Sequence, residues 1–291
     1  MTTIAFLGTG LMGAPMAARL AGEGHRVVAW NRSVAKLTPL VQAGVVAAGS
    51  PAEAIAEADF ICLALADATA AEAVLFDPRG VAAAGRPTQL LIDFSTLDPA
   101  VTRSLATKLR ARCGVRWVDS PVSGGVKGAE AGKLVAFCGG EDEDVMRAQL
   151  LLAPLTVRAH HLGPLGAGQA VKLCNQLIVA SNLLAIAEAL CLAGTFGLDT
   201  RQVPAALAGG FADSLPLQIF GPRMAAGITT PKLGEISLML KDIDAAVAAA
   251  NASGSSIPLT RQVQALYRQV RGRRFDHEDL AALMRLYERC E

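Results

Sequence analysis

Residues 5–16, Ala-Phe-Leu-Gly-Thr-Gly-Leu-Met-Gly-Ala-Pro-Met, leave the opening of this chain very few ways to fold. The apolar run before Gly8 is too short for a helix and suits a buried strand, whereas Met12, Met16 and Leu20 recur at the spacing of one helical face. Three glycines at G-x-G-x-x-G spacing stand between the two patterns. The expectation is a strand, a tight turn and a helix: Gly8 permits the turn, Gly10 lets the backbone approach a pyrophosphate, and Gly13 allows the helix to pack against the strand. Leu11 and Met12 lead into that helix, whose free amides face the anion. On its own the motif also describes an ordinary glycine-rich turn. Its place at the end of one strand, with a second at residues 25–30, points to a dinucleotide.

The rest of the first half alternates short β-like runs with Ala-rich helical ones. Residues 3–7, 25–30, 59–64, 90–93, 116–118, 134–138 and 156–161 read as strands, which predicts a doubly wound sheet. After Gly163-Pro164-Leu165-Gly166 the apolar residues recur at helical spacing, broken by glycines and prolines, with no convincing strand. The expected fold is therefore α/β: a Rossmann-type domain over residues 1–163, then an all-α domain over residues 164–291. The longest apolar tract, residues 173–196, contains Asn175, Gln176, Asn182 and Glu188, which are costly inside a bilayer. It reads as a long helix buried between domains or subunits.

Composition narrows the partners. With 27 basic and 26 acidic residues in no long single-sign block, the net charge of +1 offers no footprint for nucleic acid or an anionic membrane. A small molecule is the expected ligand. Cys62, Cys113, Cys138, Cys174, Cys191 and Cys290 form no C-x-x-C pair, and the histidines are scattered or adjacent, so neither a metal site nor a disulfide framework is expected. Gly8, Gly10 and Gly13 interrupt any signal-type apolar segment, and a cytoplasmic protein is expected.

Three further stretches carry chemistry. At the end of the second strand an acidic residue would hold the adenosine ribose, but this chain has Asn31-Arg32-Ser33. Arg32 can pair with a 2′-phosphate, which favours NADP(H) over NAD(H); as alternatives, it is a solvated arginine or stacks on adenine. The run from Asp119 to Leu134, Asp-Ser-Pro-Val-Ser-Gly-Gly-Val-Lys-Gly-Ala-Glu-Ala-Gly-Lys-Leu, follows a strand with a hydroxyl at Ser123 and backbone amides at Gly124 and Gly125. It can hold a substrate carboxylate, or be a surface turn. In Gly166-Ala-Gly-Gln-Ala-Val-Lys-Leu-Cys-Asn-Gln, residues Lys172, Asn175 and Gln176 share one helical face. A lysine in a dry cleft suits proton transfer; one that pairs across a domain interface would look the same in sequence.

In this order these motifs resemble the β-hydroxyacid dehydrogenase family, the relatives of 3-hydroxyisobutyrate dehydrogenase, tartronate semialdehyde (2-hydroxy-3-oxopropionate) reductase and glyoxylate/succinic semialdehyde reductase. A fourth family segment, K-D-L, is present as Lys241-Asp242-Ile243. The resemblance implies hydride transfer between NADP(H) or NAD(H) and a small 3-hydroxy acid or semialdehyde. By the same resemblance Lys172 transfers the proton, and Ser123, Gly124 and Gly125 hold the substrate. Asn175 orients substrate or lysine, and in some relatives the amide at the position of Gln176 does so. Lys241, Leu65, Ala66 and Thr96 lie near the cofactor. The residues that sort substrates are expected largely in the helical domain, around Phe211, Asp213 and Ser214, and the apolar tract of residues 177–192, with more hydrophobic surface than one small helical domain covers, makes a homodimer or homotetramer the expectation. Imine reductases resemble the same architecture but typically lack a lysine at position 172. A catalytically silent dinucleotide-binding scaffold would leave Lys172 without a task.

Overall fold

The computed structural model describes residues 2–287; Cys290 lies outside them. The chain divides into two compact units, Met1–Lys172 and Leu173–Glu291. In the first, six parallel strands form one sheet: β1 (Thr3–Leu7), β2 (Arg26–Trp30), β3 (Val46–Ala47), β4 (Phe60–Leu63), β5 (Leu90–Asp93) and β6 (Arg116–Asp119), in the order β3-β2-β1-β4-β5-β6. The order reverses between β1 and β4, the place where open α/β sheets leave a crevice at the carboxyl ends of their strands.

Burial explains the sheet. Ile4 and Phe6 enter one apolar cluster with Met16 and Leu20, while Ala5 and Leu7 enter another with Ile55, Ile61 and Leu75. Alternate residues of β1 therefore face helices on opposite sides, as expected of a parallel sheet covered on both faces. Register then sets the functional edge. Leu7 pairs with Trp30 and Leu63, Leu63 with Asp93, and Asp93 with Asp119. The glycine loop, Asn31-Arg32-Ser33, Ala64-Leu65-Ala66, Phe94-Ser95-Thr96 and the Ser120–Gly125 segment consequently all leave from one edge.

The sequence places residues 134–138 and 156–161 in the doubly wound sheet, but they form a second one. β7 (Val122–Ser123), β8 (Leu134–Cys138) and β9 (Thr156–His161) are ordered β7-β8-β9, with β7 antiparallel and β9 parallel to β8. The chain reverses after β6, where Phe137 N donates to Pro121 O, and β7 therefore adds to β8 rather than to β6.

The regular elements of residues 173–287 are all helices, apart from an isolated bridge between Glu235 and Asp279. The long helix Ala167–Thr195 contributes Ala180, Leu183, Leu184, Ala187 and Leu190 to the core of this unit, where they meet Leu240, Ile243, Tyr267 and Val270. Its length and composition alone would let it cross a membrane. The division between units falls nine residues after the sequence boundary at Gly163, because the first turn of this helix is tied to β6 and to the segment after β5 by buried hydrogen bonds.

Candidate active site

The glycine loop has the shape its spacing requires. Gly8 adopts a φ of 101°. A Cβ on Gly13 would collide with the carbonyl oxygen of Gly8, so the helix Gly13–Gly22 can start this close to β1 only without a side chain there. A Cβ on Gly10 would meet no atom within 4 Å, which leaves the loop open on the side where an anion approaches. Asn31 braces the loop from β2: its Oδ1 accepts from Thr9 N at 3.0 Å and its Nδ2 donates to Ser33 O at 2.9 Å. Both ends of the Asn31 amide are thereby engaged with backbone.

A cleft of about 590 Å³ lies along this edge. Gly8, Gly10, Asn31, Arg32, Ser33, Leu65 and Ala66, all expected at a cofactor, line it together. Leu11, Met12 and Gly13 form the loop and helix start beside it, and Thr96 belongs to the segment after β5. Arg32, Lys36 and Arg79 stand against a single carboxylate, Asp77, in the lining, so the wall carries net positive charge. The open glycine, the exposed helix start and this charge fit the phosphates of a dinucleotide.

The start of the long helix is fixed by buried polar groups. Gly168 carries no side chain because a Cβ would strike the carbonyl oxygen of Phe137 in β8. Asp119, fully buried at the end of β6, accepts from Gly166 N through Oδ1 and from Gln169 N through Oδ2, both at 2.7 Å. Burial pushes its carboxyl up to about 6, against the opposing pull of those backbone amides. Gln169, also fully buried, donates from Nε2 to Ser95 O at 2.9 Å and accepts at Oε1 from Leu97 N at 3.0 Å. Ser95 Oγ in turn accepts from Leu65 N at 3.0 Å.

One helical turn beyond Gln169, Lys172 is buried and donates from Nζ to Val122 O at 2.8 Å. Val122 precedes Ser123, Gly124 and Gly125, whose glycines turn the chain with φ of 133° and 65°. The ammonium of Lys172 therefore lies beside the segment expected to bind a carboxylate.

In the helical unit, Asn175 Nδ2 donates to Gln176 Oε1 at 2.9 Å, and Gln176 Nε2 donates to Asp242 Oδ2 at 2.6 Å. Lys241 Nζ lies 2.9 Å from Asp242 Oδ1. Asn175, Gln176, Asp242 and Lys241 thus form one polar chain that runs from buried Gln176 and Asp242 to the partly exposed Lys241. Phe211 is fully exposed; Asp213 accepts from Gly209 N and Gln218 Nε2, and Ser214 caps the helix Leu215–Ala225 by accepting from Leu217 N. The latter two are engaged in local structure. Asp119, Gln169 and Asp242 were not singled out from the sequence, although each stands inside a motif that was.

A dinucleotide-binding sheet followed by a helical unit, with a buried lysine at the start of the connecting helix, defines a class of two-part oxidoreductases. Residues 3–163 match the family model for the NAD binding domain of 6-phosphogluconate dehydrogenase, and residues 166–287 that for the NAD-binding of NADP-dependent 3-hydroxyisobutyrate dehydrogenase. The chain is 35% identical to a probable 3-hydroxyisobutyrate dehydrogenase of Mycobacterium tuberculosis, over 96% of this chain and 95% of the relative. It is 32% identical to 2-hydroxy-3-oxopropionate reductase of Escherichia coli over 97% of each. The solved structure of Mycobacterium tuberculosis 3-hydroxyisobutyrate dehydrogenase with L-serine superposes with a TM-score of 0.86 at 32% identity, covering 99% of this chain and 100% of that one. The chain belongs to the β-hydroxyacid dehydrogenase family and is an NAD(P)-dependent hydroxyacid dehydrogenase.

Proposed function

We propose that this enzyme interconverts a small 3-hydroxy acid and its semialdehyde, of the 3-hydroxyisobutyrate or tartronate semialdehyde type, with Lys172 as general acid and base and NADP(H) as the preferred cofactor. The observation that carries the reading is the hydrogen bond from Lys172 Nζ to Val122 O, which holds the ammonium next to Ser123, Gly124 and Gly125.

A dinucleotide held by the glycine loop at Gly8, Gly10 and Gly13 and by Arg32 would supply or accept a hydride. Ser123 Oγ and the amides of Gly124 and Gly125 hold the substrate carboxylate, so the carbonyl oxygen comes to lie at Lys172. In the reductive direction the Lys172 ammonium gives its proton to that oxygen as the alcohol forms, and the neutral amine recovers a proton from solvent. In the oxidative direction the amine removes the hydroxyl proton. Val122 O orients Nζ throughout. Asn175 or Gln176 supplies the amide that orients substrate or lysine, and the two are linked to each other and, through Gln176, to Asp242 and Lys241.

Removing Lys172 should damage chemistry far more than binding. Positioned proton transfer contributes about a hundredfold to ten-thousandfold in rate, so Lys172→Met should lower kcat by that order while dinucleotide affinity stays close to that of the wild type. Ser123→Ala should act mainly on KM. A folded Lys172→Met enzyme with near-normal turnover on its best hydroxy acid would sink this mechanism.

A further inference from the structure

We infer that Gln169 is a positioning residue for the reaction: its buried carboxamide locks the segment that carries Thr96 to the helical turn that carries Lys172. The inference rests on the roles proposed above for those two residues.

Thr96 is flanked by Ser95, whose carbonyl needs a donor, and Leu97, whose N–H needs an acceptor; Gln169 supplies both from one planar group. Only a carboxamide offers a donor and an acceptor side by side at neutral pH, and asparagine would be one methylene short. Nothing else about the site calls for glutamine, since the side chain is fully buried and has no access to a ligand.

The same residue is anchored through its backbone. Gln169 N donates to Asp119 Oδ2, and Asp119 Oδ1 holds Gly166 N, so the helix start cannot rotate without breaking bonds to β6. Lys172 lies three residues further along that helix, a rise of about 4.5 Å. Leu65 joins the same chain through Ser95 Oγ. One buried amide therefore couples two segments of the sheet edge, at Leu65 and Thr96, to the lysine. Reacting groups displaced by about 1 Å can lose about a hundredfold in rate, which is the scale on which such a lock matters.

Gln169→Leu, Gln169→Glu and Lys172→Met test the inference together. In folded Gln169→Leu we expect kcat to fall about tenfold to a hundredfold, dinucleotide Kd by equilibrium titration to stay within about twofold, and the primary deuterium isotope effect on kcat to rise as hydride transfer becomes limiting. In the cofactor-free protein, amide exchange of residues 94–97 should accelerate. Gln169→Glu separates positioning from bulk: its protonated carboxyl restores one donor and one acceptor, so kcat relative to the wild type should climb as pH falls.

Near-normal turnover in Gln169→Leu beside a crippled Lys172→Met overturns the positioning role and leaves the mechanism standing. A fall in kcat that tracks a fall in dinucleotide-binding sites, with the isotope effect unchanged, also overturns it, because a residue needed only for folding behaves that way. Should Gln169→Leu fail to fold, a Gln169→Glu to wild-type ratio that is flat with pH decides against the inference. If Lys172→Met keeps its turnover, the mechanism fails and the positioning role goes with it.

Discussion

Arg32 leaves the end of β2 on the exposed side of the cleft, in the place where an acidic residue would bind the ribose of NAD(H). Asn31, immediately before it, spends its amide on Thr9 N and Ser33 O, so the backbone on either side of the arginine is tied to the glycine loop. With Lys36 and Arg79 in the same wall, a 2′-phosphate would find three cations and one carboxylate. A hydrogen bond to a charged group contributes roughly 1.5 to 3 kcal/mol, equivalent to about 10-fold to 150-fold in affinity. Arg32→Ala should therefore raise Kd for NADPH within that range and leave NADH almost unchanged. Equal losses for both cofactors would assign Arg32 to adenine stacking or to the fold, and a wild-type preference for NADH would remove the NADP(H) assignment altogether. Asn31 shows how far sequence reaches at this scale: its place at the strand end was legible, while its engagement by Thr9 N, 22 residues away, was not.

Among the elements, the apolar strands and the long helix could be read from the chain because burial on both faces or on one stripe leaves a period in the sequence. β3 and β7 could not, since two residues carry no period, and without β7 the second sheet merges with the first. Buried polar partners were equally hidden. Gln176 stood out on its helical face, but Asp242 lies 66 positions later and only the packing of two helices brings them together. Asp119 is the clearest case, for its role is to hold the long helix, and that role makes a prediction in pH. Its folded carboxyl titrates at about 6, above the ordinary 3.8, with burial as the main cause. Between those values the folded protein keeps a proton that the unfolded chain has released, so this group's contribution to stability falls as pH rises through the window and is constant above it. Asp119→Asn has no such group. The stability of the wild type minus that of Asp119→Asn, from denaturant unfolding, should shrink from pH 4 to pH 6 and then level off. A difference that grows over the same range would mean that the backbone amides outweigh burial at this carboxyl.

At the scale of the whole molecule, the long helix presents more apolar surface than its own unit covers. Ala180, Leu183, Leu184, Ala187 and Leu190 are buried, yet Ile178 is 69% exposed and Leu192 57%, with Phe196 73% and Leu198 58% just beyond the helix end. Large apolar side chains concentrated on one element mark a surface that is covered in the working state, and for a chain of this kind the simplest cover is a second copy. The same helix passes a test of length and hydropathy for a membrane span, but Asn175, Gln176, Asn182 and Glu188 would each need a polar partner inside the bilayer. Here the first two take part in the polar chain to Asp242, and Asn182 donates to Ser214 Oγ at 2.9 Å. We therefore expect light scattering of the purified protein to report a dimer or tetramer at micromolar concentration, without detergent. Ile178→Lys combined with Phe196→Glu places charges on that surface without touching the core, so it should shift the population to a smaller species with helical content unchanged. A wild-type protein that is monomeric under these conditions, or a double variant whose assembly is unaffected, would show that this face of the helix is not where copies meet.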